Sequence, residues 1–74
     1  MTGKQCQSAR RLLGWSRRQL SERLGGHPSA HGIGNFERQW KTIRLANCAA
    51  LRGEFENAGI EFDPDGVTVR LHKR

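Results

Sequence analysis

The sequence predicts a mainly α domain, four helices closed by a short C-terminal β-hairpin or strand. Three observations carry this. Apolar residues recur at intervals of three and four up to Ala58. Capping and breaking residues divide that pattern into four segments. After Gly59 the period falls to two, with Val67, Val69 and Leu71 alternating with Thr68, Arg70 and His72. A chain of 74 residues is one domain. A domain of this size buries only about 60% of the surface its unfolded chain exposes. A large concave pocket with its own supporting shell does not fit, and the chain is not expected to be an enzyme.

The first helix is expected from about Lys4 to Leu13. Cys6, Ala9, Leu12 and Leu13 form its apolar side, and Gln5, Gln7, Arg10 and Arg11 its wet side. Gly14 closes it. Ser16 reads as an N-cap and Gln19 completes a Ser-x-x-Gln capping box, so "SRRQLSERLG" is the second helix, with Leu20 and Leu24 on one face. Trp15 precedes the cap and is expected to anchor in the core against Leu20 or a neighbouring helix. "GGHP" breaks the chain. Ser29 caps a short third helix to about Arg38, with Ile33 and Phe36 inward, and "RQWKT" follows as a loop or single turn. The fourth helix is expected from about Arg44 to Ala58, with Cys48, Leu51, Phe55 and Ala58 on one side. Gly53 inside it costs about 1 kcal/mol against alanine, so this helix must lean on tertiary packing. The strand-like runs Ile60 to Phe62 and Val67 to Leu71 flank "DPDG", a turn sequence with Pro64 at the favoured second position. An isolated hairpin is rarely stable in water, so this one packs on the helices or pairs with another chain.

Thirteen Lys and Arg against seven Asp and Glu give a formal charge of +6. In a chain this short, that charge attracts polyanions, chiefly nucleic acid. The basic residues are spread along the chain rather than gathered in one tag. Cys6 and Cys48 have no C-x-x-C spacing and no histidines at zinc-finger intervals, so they read as small core residues and no metal is expected. Two thiols without a signal peptide point to a reducing cytoplasm. No apolar run approaches the length of a membrane span. H-E-x-x-H, nucleophile-elbow and phosphate-loop patterns are absent from the sequence, and "GIG" at Gly32 to Gly34 is too short for a nucleotide site.

"ARRLLGWSRRQLSERLG", a turn and "SAHGIGNFER" together resemble the helix-turn-helix of the Cro/CI-type phage repressors and the wider Xre-like regulators. Ala9-Arg10, Leu13-Gly14, Trp15-Ser16, Leu20, Ile33 and Phe36-Glu37-Arg38 match the usual pattern, and "ANCAALRGEFENAGIEF" is similar to the fourth helix and tail of short bacterial members. The similarity runs from about Gln5 to Phe62. It implies a lambda-repressor-like helix-turn-helix domain over residues 1–59, with residues 60–74 a C-terminal β extension of the same domain and a candidate dimerisation element. The chain departs from the pattern at Arg17, where the family commonly has glutamine. Its turn after Leu20 is about two residues longer than usual, and Gly32 and Gly34 soften the third helix.

In that fold the third helix lies in the major groove while the second crosses the backbone. The resemblance then puts the base-reading positions on Ala30, His31 and Asn35. Asn35 suits a bidentate contact to adenine, Ala30 a thymine methyl, and His31 a purine acceptor. Phosphate contacts fall to Arg17, Arg18, Ser29, Arg38, Lys41, Thr42 and Arg44. The bare backbone at Gly34 is expected to admit a phosphate closely. Glu37 is expected to be structural, paired with Arg10. The resulting expectation is a cytoplasmic, sequence-specific DNA-binding repressor of bacterial or phage type. It would bind double-stranded DNA as a homodimer, with no cofactor, membrane or small-molecule substrate. The competing expectation is a protein-binding antiactivator or antitoxin-like module on the same fold. The C-terminal strand either pairs across a two-fold axis or packs on its own helices.

Overall fold

The computed structural model describes residues 1–38 and 45–72. Among them are four helices followed by two strands: α1 (Gly3–Leu12), α2 (Arg17–Arg23), α3 (Ala30–Glu37), α4 (Leu45–Asn57), β1 (Ile60–Phe62) and β2 (Val69–Leu71). The chain is a mainly α four-helix bundle with a short C-terminal antiparallel hairpin.

Each of the first three helices begins at a side-chain cap. Thr2 caps α1 by accepting from the Gln5 amide at 3.2 Å, and Gln5 Oε1 returns a bond to Thr2 N at 3.1 Å. Thr-x-x-Gln at Thr2 to Gln5 is therefore the same capping box as Ser16 to Gln19, and α1 starts one residue earlier than Lys4. Ser16 accepts from Gln19 N at 3.0 Å and Ser29 from Gly32 N at 3.1 Å. Gly14, Gly25 and Gly26 follow α1 and α2 with φ of 70°, 73° and 90°, a conformation that L side chains resist. Ser21, buried in α2, donates to the Pro28 carbonyl at 2.9 Å and holds the loop that leads into α3.

The core is Cys6 and Ala9 of α1, Leu20 of α2, Ile33 of α3, Leu51 and Phe55 of α4, and Ile60 of β1. Trp15 anchors here as expected, stacked on Phe55 with ring centroids 6.0 Å apart, and Phe62 meets the same ring edge-on at 6.1 Å. The Arg23 guanidinium covers the other side of Trp15, 4.0 Å from its centroid. Cys48 and Ala58 are only half-buried, so the apolar side of α4 rests on Leu51 and Phe55. Both cysteines are free.

Three polarity expectations for α1 are reversed. Leu12 is 49% exposed, whereas Gln5 is buried and donates Nε2 to the carbonyls of Asp63 at 2.7 Å and Thr68 at 3.2 Å. Arg10 is drawn inward by Glu37. Amide and guanidinium groups go inside where fixed acceptors repay their lost hydration.

In the hairpin, Ile60 pairs with Leu71, Glu61 with Arg70 and Phe62 with Val69. β2 is shorter than the alternating pattern suggests. The Asp65 carboxylate accepts from the Val67 and Thr68 amides, both at 2.7 Å, and from the Thr68 hydroxyl at 2.6 Å, so these residues belong to the turn. Val67 is consequently 53% exposed and Leu71 38%, with Val69 alone of the three on the core. The hairpin packs on its own chain, β2 against α1 and β1 against α4. Thr2 Oγ1 adds a bond to the Gly66 carbonyl at 2.5 Å, which ties the hairpin turn to the start of α1.

Candidate nucleic-acid interface

The geometry of this surface begins at Glu37, in the last turn of α3. Its side chain is fully buried and faces two arginines from two other helices. Arg10 of α1 donates Nε to Oε2 at 2.9 Å and Nη2 to Oε1 at 3.1 Å, and its Nη1 donates to the Trp15 carbonyl at 3.0 Å. This fulfils the pairing expected for Glu37 and Arg10. The hydrogen bond to Glu37 holds the Arg10 proton more firmly than usual, against the opposing effect of burial. Arg17, the first residue of α2, adds a third bond from Nε to Oε1 at 3.1 Å. One carboxylate thus binds α1, α2 and α3 together. The Cys6 thiol lies 3.7 Å from Oε2. Burial first, and then the neighbouring Glu37 charge, push that thiol far above the ordinary range and keep it protonated.

With Glu37 inside, the outer side of α3 follows from helix geometry. At about 100° per residue, Ala30, His31 and Asn35 fall within one arc of about 140°, which buried Gly34 shares and which buried Glu37 adjoins at the Ala30 edge. His31 is exposed, and Ala30 and Asn35 are half-buried. His31 and Asn35, about 40° apart, are on the outer part of that arc, and Ala30 is at its inner edge. Ser29 is at the N-terminal edge of that surface, its hydroxyl oxygen committed to the Gly32 amide. Arg38 follows α3 as its C-cap and is exposed. Arg18 is on the open side of α2, 86% exposed, with Nε 3.2 Å from Glu22 Oε1 one turn along. Arg17 is brought close to α3 rather than into open solvent. Lys41, Thr42 and Arg44 lie outside the described residues.

Gly34 has a different role from the one its lack of a side chain suggests. A Cβ built there would stand 3.5 Å from Cζ and Nη1 of Arg17 and 3.6 Å from its Cδ. A Cβ there would be in ordinary contact with Arg17, so an arginine of α2 packs over α3 at this point. Local pattern gives no sign of this, because the two residues belong to different helices and neither is apolar. A second close approach brings α1 onto the end of α3, where a Cβ on Gly3 would run into the Phe36 carbonyl oxygen.

Neither α2 nor α3 has an acidic residue in its first turn. Among the described residues no three His, Cys, Asp or Glu side chains gather as a metal site would require. No helix among them is long and apolar enough to cross a membrane. A shallow apolar groove elsewhere runs between α1 and the hairpin, lined by Ser8, Arg11, Leu12, Val67, Thr68 and Val69. Comparison with family models, curated proteins and solved structures gives no match to this chain.

Proposed function

We propose that the protein is a sequence-specific DNA-binding transcriptional regulator, acting as a repressor. In this reading α2 and α3 form a lambda-repressor-like helix-turn-helix whose third helix enters the major groove. The observation that carries it is the fate of the one acid in α3. Glu37 is fully buried between two arginines, so the outer arc of Ala30, His31 and Asn35 carries no carboxylate. Arg38 follows α3 and Arg18 is exposed on α2, in a chain of formal charge +6. A polyanion meets attraction along this surface, and short polar side chains meet the base edges.

One such helix reaches few base pairs, so useful affinity calls for two half-sites and a homodimer. The hairpin pairs within its own chain, and dimerisation through the outer edge of β2 would add to that pairing rather than replace it.

The test is footprinting on the DNA flanking the protein's own gene, followed by a salt titration. Affinity should fall steeply with salt. Asn35→Ala should relax base preference at one position, while Arg18→Ala should weaken all duplexes alike and reduce the salt slope by about 1. Arg18 is the cleaner backbone probe, because Arg17 also holds Glu37. Absence of duplex binding at low salt would refute the reading.

The competing reading, a protein-binding antiactivator or antitoxin-like module, is favoured by the apolar groove beside α1, where Leu12 and Val67 are each about half exposed. Under that reading, Leu12→Asp and Val67→Asp abolish function and Asn35→Ala leaves it intact.

A further inference from the structure

We infer that Arg17, a residue of α2, is itself a base-reading residue, presenting a two-pronged guanidinium to a guanine over Gly34 of α3. This rests on the DNA-binding reading above, and it replaces the phosphate contact that the sequence suggests for Arg17.

The two arginines on Glu37 are used differently. Arg10 commits all three of its nitrogens, two to the carboxylate and one to the Trp15 carbonyl, and its side chain is 12% exposed. Arg17 commits Nε alone. Among the described residues its two terminal nitrogens donate to no protein group, and its side chain is 33% exposed. One carboxylate against two guanidiniums leaves a single positive charge, and Arg17 carries it. The Nε tether to a fully buried acid fixes one edge of the guanidinium and leaves the Nη1–Nη2 edge for a ligand.

Gly34 determines where that edge lies. The Arg17 side chain lies over Gly34, just in contact with where a Cβ would stand, so a side chain longer than alanine's would meet it. Gly34 is one turn on from Ala30 and about 40° round the helix from it, so the guanidinium lies over the part of the arc between Ala30 and His31. Ala30 adds only a methyl on the same ridge.

A phosphate also takes an arginine fork, but a lysine serves there as a point charge and no set angle is required. A guanine presents two coplanar acceptors, O6 and N7, and rewards a planar pair of N–H groups held at a set angle. Tethering to Glu37 and seating on Gly34 supply that angle before DNA arrives, which reduces the ordering required on binding. A phosphate contact would need neither.

The experiment selects binding sites from a pool of duplexes with a randomised core, using the full chain and the variants Arg17→Lys and Gly34→Gln. The wild-type chain should recover a guanine at one position of each half-site. Arg17→Lys keeps the charge and loses the fork, so that preference should drop by about 5- to 150-fold, the range for one bidentate pair. Gly34→Gln keeps Arg17 and displaces its head, and should lose the same guanine. In a recovered site, 7-deazaguanine at that position removes the N7 acceptor. It should weaken wild-type binding, and this arm needs no variant to fold. The inference is overturned if both variants keep the guanine and weaken every duplex alike, if 7-deazaguanine has no effect on the wild-type chain, or if the recovered sites share no guanine. Failure of the wild-type chain to retain any duplex refutes the DNA-binding reading itself, whereas retention without a guanine refutes only the role of Arg17.

Discussion

Replacing Glu37 by glutamine removes one negative charge from a site where two arginines converge and leaves the volume unchanged. The carboxylate accepts three arginine N–H bonds, at 2.9, 3.1 and 3.1 Å, and is fully buried. Removing one member of a buried ion pair costs about 3–5 kcal/mol, because the partner charge is left without compensation. Two features moderate this here. Glutamine keeps one acceptor oxygen, and Arg17, at 33% exposure, can turn its charge towards water. Arg10, at 12%, is far less able to do so. We expect a loss of about 3 kcal/mol, the lower end of that range. A domain of 74 residues has about 4–11 kcal/mol of stability in total, so this is a large share of it. At roughly 4–8 °C per kcal/mol for domains of this size, the melting temperature should fall by about 12–24 °C. The three groups should also rank. Arg10→Met, which leaves Glu37 buried with one bond to Arg17, should destabilise nearly as much as Glu37→Gln. Arg17→Met leaves the Arg10–Glu37 pair intact and should cost about 1 kcal/mol, in keeping with one partly exposed charged bond. Urea unfolding followed by circular dichroism measures all three. A Glu37→Gln loss under about 0.5 kcal/mol, the range of ordinary surface substitutions, would show that the carboxylate does not hold the helices together. Equal losses for Arg10→Met and Arg17→Met would contradict the asymmetry on which the guanine fork depends.

Three further outcomes follow from the packing. Gly3→Ala should lower stability by about 1–3 kcal/mol in thermal or urea melts, although alanine is the better helix former, because its Cβ meets the Phe36 carbonyl oxygen. With a thiol reagent under native conditions, half-buried Cys48 should react first, and buried Cys6, held protonated by burial and Glu37, only on unfolding. The hairpin turn should loosen in acid. The Thr68 hydroxyl, then the Thr68 and Val67 amides, hold the Asp65 carboxyl below its ordinary range. A depressed folded pKa gives a contribution that is complete above the unfolded value, near about 3.9, and lost as pH falls through the folded one. The Val67 and Thr68 amide resonances should report that loss at low pH, and Asp65→Asn should remove the pH dependence.

Local chemistry made much of the fold legible before any coordinates. The Ser16 and Ser29 caps, the closing glycine Gly14, the "DPDG" turn and the core positions Cys6, Ala9, Leu20, Ile33, Leu51 and Phe55 follow from short-range rules of capping, φ and period. The pairing of Arg10 with Glu37 was legible from the resemblance. Tertiary structure decided the rest. Periodicity assigns a side of a helix and not the depth of a long polar side chain. Gln5 is buried because the carbonyls of Asp63 and Thr68 lie where its amide ends. Leu12 is exposed on the open groove between α1 and the hairpin, and Val67 because Asp65 draws its amide into the turn. Arg17 was legible as a cation at the start of α2, and only the placement of Glu37 and Gly34 on another helix converts that cation into an oriented fork. Capping, turn and core preferences act over a few bonds, so sequence suffices to read them. A long side chain is oriented by partners distant in sequence, and those are known only once the helices are packed.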